Sequence, residues 1–130
     1  MPEQIVVVAA VIERDGRFLV ARRLAGTHLA GYWEFPGGKV QPGESCEAAL
    51  HREMAEELDV GITHARRIFG AAHPYPERIV ELHFYRVELT GEPQPALGQE
   101  LRWIGRDELG SLKFPPADAA LIDGLINAGL

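Results

Sequence analysis

The sequence predicts an α/β sandwich: a mixed β-sheet with one helix in the middle of the chain and another at its end. Three observations lead there. Val- and Ile-rich runs recur along the chain, separated by Gly, Pro and Asp turns, and read as strands. Two segments, Ser45 to about Leu58 and the stretch after Pro115-Pro116, instead carry apolar residues at helical spacing. Finally, 130 residues with 46% hydrophobic content suffice for one core but not two, so residues 1–130 are expected to form a single domain.

The elements follow in order. Ile5–Glu13 reads as a buried strand. Asp15-Gly16 is a strong hairpin signal, with Arg17–Arg22 as the returning strand. Leu24–Pro36 has no clear period and is expected to be a loop with a short strand near Trp33–Phe35. Gly37-Gly38 and Pro42-Gly43 bracket what reads as another tight loop. Ser45 suits an N-cap, and Cys46, Leu50, Met54 and Leu58 form an apolar stripe at four-residue steps behind it. Ile68–His73, Ile79–Leu89 and Leu101–Ile104 are further strand candidates, and Gly91 to Gly98 is a connecting loop. Asp107–Leu112 reads as one helical turn. In the last helix Leu121, Ile122, Leu125 and Ile126 recur at helical spacing, with Gly129 as a stop.

Composition limits the partners. With 13 basic and 19 acidic residues the formal charge is −6, and no Lys/Arg run is present. Such a surface repels a nucleic-acid polymer. An anionic substrate would need local help, from a metal ion or a few placed arginines. Cys46 is the only cysteine, which rules out an internal disulfide and fits a reducing compartment. Met-Pro-Glu-Gln lacks the basic start of a secretory signal, and the apolar run that follows is too short to span a bilayer. A cytoplasmic protein without a membrane partner is expected, as monomer or homodimer.

The central helix carries the chemistry. Glu53, Glu56 and Glu57 stand at i, i+3 and i+4, on one arc beside the apolar stripe. Like charges at this spacing cost roughly 0.2–0.5 kcal/mol per pair even when exposed. A plain solvated face is one explanation. A metal site is the other: Arg52 stands within the cluster, and Glu44 and the Gly37-Gly38 pair bring another carboxylate and approachable backbone to the same helix. Hard oxygen ligands of this kind suit magnesium or manganese.

Gly38, Glu44, Arg52, Glu53, Glu56 and Glu57 occur with the spacing G-x5-E-x7-R-E-U-x-E-E. This resembles the Nudix box, G-x5-E-x7-R-E-U-x-E-E-x-G-U. With each type at about 7% of residues, a chance match from one starting point is rarer than roughly one in a million. One position departs: Asp59 stands where the family has the glycine that ends the helix, so a strained or altered turn is expected there. Arg22-Arg23, His28, Glu34-Phe35-Pro36-Gly37-Gly38-Lys39, Arg78 and Phe114-Pro115-Pro116-Ala117 extend the resemblance to the MutT branch over nearly the whole chain.

The resemblance implies a Nudix fold and hydrolysis of a nucleoside triphosphate to monophosphate and pyrophosphate with Mg2+, or Mn2+, as cofactor. It implies Glu53 and Glu57 as ligands, with Glu56 and the Gly37 carbonyl beside them. Glu53 is also a candidate general base, Glu44 a group that orients a ligand or water, and Arg52 either a holder of the carboxylates or a plain helix salt bridge. In MutT-like proteins a late glutamate also acts as ligand or base. Counting back from Trp103 puts Leu97 near that place, and Glu100 is the nearest acid, either functional or a surface charge. Arg23 matches a phosphate-contacting arginine, and His28 and Arg78 match positions near the nucleotide. Phe35, like Trp33, is expected in the base pocket or in the core.

Asp118 replaces the asparagine that follows Pro-Pro-Ala in MutT. An ionised carboxylate only accepts hydrogen bonds, whereas an amide also donates. Asp118 could therefore read N–H groups of an oxidised guanine or the N4 amino group of cytosine, as in the CTP pyrophosphohydrolases of the same branch, or simply cap the last helix. The overall likeness favours 8-oxo-dGTP as substrate. A rival from another class, a nucleotide-binding module on a dead scaffold, should have lost a box glutamate, and none is missing.

Overall fold

In the computed structural model, residues 3–127 and 129–130 are described. The elements run β1 (Glu3–Val11), β2 (Glu13–Arg14), β3 (Arg17–Arg22), β4 (Trp33–Glu34), β5 (Gly37–Lys39), α1 (Cys46–Leu58), β6 (Ile62–Pro74), β7 (Arg78–Leu89), β8 (Leu101–Gly105) and α2 (Ala119–Asn127). A 3-10 turn at Arg106–Ser111 lies where the single helical turn was expected, and a second at Pro116–Asp118 leads into α2.

The β-branched run that forms β1 can be buried on both faces, and it is. Val8, Ala10 and Ile12 face Leu50, Met54 and Leu58 of α1, while Ala9 and Val11 belong to a second cluster with Phe84, Leu121 and Leu125. The two helices therefore cover opposite faces, which gives the α/β/α sandwich. The main sheet has the order β5-β1-β7-β6, with β1 parallel to β7 and the outer pairs antiparallel. A smaller antiparallel sheet is built around β3, which pairs with β2, β4 and β8.

Three expectations need correction. Ile5–Glu13 is not one strand: the chain changes sheets at Ile12, so β3 returns on the two-residue β2 and takes β8 as its long partner. Asp15 and Gly16 do form the turn, both at positive φ, 53° and 76°. Gly37-Gly38 is strand rather than loop. β5 pairs antiparallel with β1 through Ala9 and Gly37, and it lies so near that a Cβ on Gly37 would sit 2.0 Å from the Val8 carbonyl oxygen. β6 also starts earlier than expected, at Ile62; it is an edge strand, and its exposed His64, Arg66 and Arg67 break any apolar alternation.

Helix α1 begins and ends by local chemistry. Ser45 Oγ accepts the Ala48 N–H at 3.0 Å, and Ala49, Leu50, Met54 and Leu58 are fully buried. At the other end Asp59 takes the left-handed conformation, φ 54° and ψ 42°, and its N–H reaches the Ala55 carbonyl at 3.1 Å. The altered turn expected there is thus an ordinary left-handed cap made by a non-glycine residue. In α2, Leu121, Ile122 and Leu125 are buried as expected, whereas Ile126 is exposed.

Asp59→Gly should stabilise the protein. Glycine removes a left-handed penalty of about 1–2 kcal/mol, set against about 0.4–1 kcal/mol of extra unfolded-state entropy. A net gain of about 0.5–1 kcal/mol, or a few degrees in Tm by calorimetry, is expected. An unchanged or lower Tm would mean that the Asp59 side chain contributes a compensating contact.

Candidate functional site

Strand β5 and helix α1 meet without side-chain filling, and the box glutamates occupy that contact. A Cβ on Gly38 would lie 2.5 Å from the Glu53 carboxyl carbon, so only glycine allows that carboxylate to rest on the strand. One turn on, Glu57 Oε2 accepts the Gly37 N–H at 3.0 Å. The Glu53 and Glu57 carboxyls are within hydrogen-bonding reach of each other, and Glu34 adds a third negative charge. Burial first, then Glu53 and Glu34, push the Glu57 carboxyl up to about 9. Burial also raises Glu34, opposed by Arg23.

Arg52 fastens these pieces together. Its Nε and Nη2 donate to both oxygens of Glu44 at 2.8 and 3.0 Å, its Nη1 to Glu53 at 2.7 Å and to Glu56 at 3.2 Å, and its Nη2 also to the Lys39 carbonyl at 2.9 Å. Arg52 thus makes a helix salt bridge at i, i+4 to Glu56 and also spans the loop to Glu44 and the Lys39 carbonyl. Glu44 further accepts the Gln41 N–H at 3.0 Å, and the Arg52 guanidinium with that N–H lowers its carboxyl to about 2.

Two clefts open on either side of this contact. One, of about 300 Å³, is lined by Val80, Leu82, Phe84, Phe35, Pro115 and Ala117, with Arg23, His28, Glu34 and Asp118 among its polar groups. The other, of about 150 Å³, is lined by Arg22, Arg23, Thr27, Glu57, Leu97 and Gln99. Arg23 and Glu34 belong to both. Arg23 is held there by Glu34 Oε2 at 2.8 Å and by the His28 carbonyl. Asp118 is 8% exposed, and burial with the Glu34 charge lifts its carboxyl to about 7 against the pull of Arg23.

The structure brings Glu53, Glu57 and Gly37 together, with Arg52 and Glu44 behind them, and it lines the larger cleft with Arg23, His28, Phe35 and Asp118. Phe35 is both core and cleft wall, edge-on to Phe84 and stacked on Phe114 at 5.4 Å. Trp33 is core, beneath Arg102. Glu56 points outward, its side chain 56% exposed. Glu100 is an exposed partner of Arg22 and Arg102 and lines neither cleft. Arg78 is exposed at the start of β7, beside Glu3, also outside both clefts. Asp118 lies inside the turn that Pro115 begins, and among the described residues its side chain caps no N–H.

The lining residues to which the sequence assigned no role include Glu34, Gln99 and Tyr75. Glu34 adjoins Phe35 in the glycine-rich segment, and only the strand β4 turns it towards Glu57. Tyr75 and Gln99 come from distant turns and carry no local signal.

The residues present fit a divalent cation. Two half-buried carboxyls in mutual contact need either a shared proton or a positive ion between them. Among the described residues no three His, Cys, Asp or Glu side chains converge into a closed cage. Two carboxylates would leave the rest of a divalent cation's coordination to water and phosphate oxygens.

A family model of the Nudix domain matches residues 7–124, and the chain belongs to that family. Nudix hydrolases in general require divalent cations. Among its relatives, the 8-oxo-dGTP diphosphatase of Haemophilus influenzae is 41% identical over 130 residues, covering 98% of this chain and 96% of its own. The CTP pyrophosphohydrolase of Escherichia coli is 39% identical over 125 residues, covering 95% and 93%. The solution structure of the E. coli ORF135 protein superposes with a TM-score of 0.85 at 39% identity, covering 96% of this chain and 90% of that one. The two enzyme names bracket the two base readings raised by Asp118.

Two outcomes are expected. Gly38→Ala should displace Glu53 while leaving the fold, lowering nucleotide turnover by about a hundredfold or more with a small change in Tm; wild-type turnover would show that Glu53 need not touch β5. Because Glu44 lies below its ordinary value of 4.5, its pairing stabilises the fold above pH 4.5 and is lost as pH falls towards about 2. Arg52→Met should flatten the fall in Tm across that window, and an unchanged profile would place the acid sensitivity elsewhere.

Proposed function

We propose that this chain is a magnesium-dependent, MutT-type nucleoside triphosphate pyrophosphohydrolase that releases monophosphate and pyrophosphate, with an oxidised guanine nucleotide such as 8-oxo-dGTP as substrate. One observation carries the reading: the Glu53–Glu57 pair rests on bare β5 backbone between a partly apolar cleft and a smaller arginine-lined one. A base fits the first, and phosphates fit the space between them.

When bound, Mg2+ or Mn2+ supplies neutralisation of phosphate charge and acidification of water. Glu53 and Glu57 would hold it, with the Gly37 carbonyl and Glu56 at the margin. Arg52 and Glu44 keep Glu53 in place, so Glu53 is set to take the proton from the attacking water. Arg23, fixed by Glu34 and His28, presents its guanidinium to the phosphates. Phe35 gives the base an apolar wall, and Asp118 reads its edge. Arg78 and Glu100 line neither cleft and have no direct part in this reading.

A second reading, a cytosine triphosphate, is favoured by Asp118 itself. Near neutral pH its carboxyl is part protonated and part ionised. The protonated form donates and accepts like the MutT amide, and the ionised form only accepts. As pH rises through about 7, the donor needed by a purine O6 is lost while acceptance from an N4 amino group remains.

The test is a matched panel with magnesium: 8-oxo-dGTP, dGTP, CTP, dCTP and 5-methyl-dCTP, with products resolved as monophosphate and pyrophosphate. A preference of about a hundredfold for 8-oxo-dGTP over dGTP, roughly 2.7 kcal/mol, is expected. Preference for cytosine nucleotides would move the assignment to the second reading. Nucleotide binding without turnover by the wild type would make the chain a binding module. The ratio of cytosine to guanine turnover should rise between pH 6 and 8, and Asp118→Asn should abolish that rise; a ratio independent of pH in the wild type would remove Asp118 from base reading.

A further inference from the structure

The last turn of α1 is electrostatically awkward. It has no basic residue, it carries Glu56 and Glu57, and it is the negative end of the helix dipole. The Asp59 and Val60 amides serve the Ala55 and Met54 carbonyls, leaving those of Glu57 and Leu58 without helix donors. The loop between β7 and β8 supplies them. Gln94 N–H donates to Leu58 O at 2.8 Å and Ala96 N–H to Glu57 O at 3.1 Å. Gln99 Nε2 adds a second bond to Glu57 O at 2.8 Å, while its Oε1 accepts the Leu97 N–H at 2.9 Å.

Gln99 is only 6% exposed, and it and Asp118 are the buried polar side chains among the described residues. Both ends of its amide are used, one on the helix and one on the loop, a pairing that neither a carboxylate nor an apolar side chain reproduces. It lines the smaller cleft beside Glu57 and Arg23. We propose that Gln99 is a positioning residue for Glu57: by gripping the Glu57 carbonyl from the β7–β8 loop, it sets the last turn of α1 so that the Glu57 carboxylate meets Glu53 and the Gly37 N–H. This rests on the reading of Glu53 and Glu57 as the cation centre. The loop that carries exposed Leu97 thus acts through the helix backbone, without a carboxylate of its own in the cleft.

The test is a Mn2+ titration of nucleotide-free protein followed by electron paramagnetic resonance, on the wild type, Glu57→Gln, Gln99→Met and Gln99→Leu. The two Gln99 variants keep the volume with different shapes, so that one remains informative should the other fold poorly. Both should weaken Mn2+ binding by about tenfold, and both should lower kcat with little change in nucleotide KM, an effect reversed by excess cation. If both melt earlier yet bind Mn2+ like the wild type, while Glu57→Gln binds weakly, Gln99 merely stabilises the loop and the inference is overturned. If Glu57→Gln itself binds Mn2+ like the wild type, the cation-centre reading falls, and this inference with it.

Discussion

Helix α1 could not rest its Glu53 on β5 if Gly38 carried a side chain, nor could β5 lie against β1 if Gly37 did, and most of the site follows from those two close approaches. A Cβ on Gly37 would strike the backbone of β1, and one on Gly38 would strike the Glu53 carboxylate. With neither present, the strand's amide faces Glu57 and its surface receives Glu53. The contact ties an edge strand of the main sheet to its long helix, and the packing of Leu50, Met54 and Leu58 on the neighbouring β1 sets the position of the carboxylates above it.

Crowding acids at this contact has a cost, and the neighbouring groups show how it is offset. Arg52 neutralises one side of Glu53 and holds Glu44 fully ionised, Arg23 faces Glu34, and backbone or amide N–H groups meet Glu57 and its carbonyl. What they leave uncompensated is the facing pair Glu53 and Glu57, with Glu34 behind it. That close pair, which needs a shared proton or a positive ion between its carboxyls, is the feature that a divalent cation would satisfy, and a polyphosphate would in turn satisfy the cation. Net charge of the whole chain has little bearing here, because the chemistry depends on a few groups at one contact.

The sandwich and its central helix are legible because they rest on local pattern. The continuous apolar run of a doubly buried strand, a Ser N-cap and a four-residue apolar stripe all act within a few turns of chain. The box spacing likewise brought out Glu53, Glu57, Arg52 and Glu44. Less legible was anything set by tertiary approach. Gly37-Gly38 looks like a loop until β1 and Glu53 are brought beside it. Ile12 gives no sign that the chain leaves one sheet for another, and Gln99 is one polar residue in a loop until the end of α1 reaches it. Glu56 and Glu57 are adjacent and chemically identical, yet only Glu57 turns inward, because the helix axis is fixed by the buried Met54 and Leu58.

The most direct measurement is anomalous diffraction from crystals of the unaltered protein grown with Mn2+ and a non-hydrolysable nucleoside triphosphate analogue. A manganese peak bridging the Glu53 and Glu57 carboxylates beside Gly37 is expected, with the phosphates on it and the base against Phe35 and Asp118. Manganese bound elsewhere, with Glu53 and Glu57 still sharing only each other and the Gly37 amide, would contradict the assignment of this contact as the cation centre.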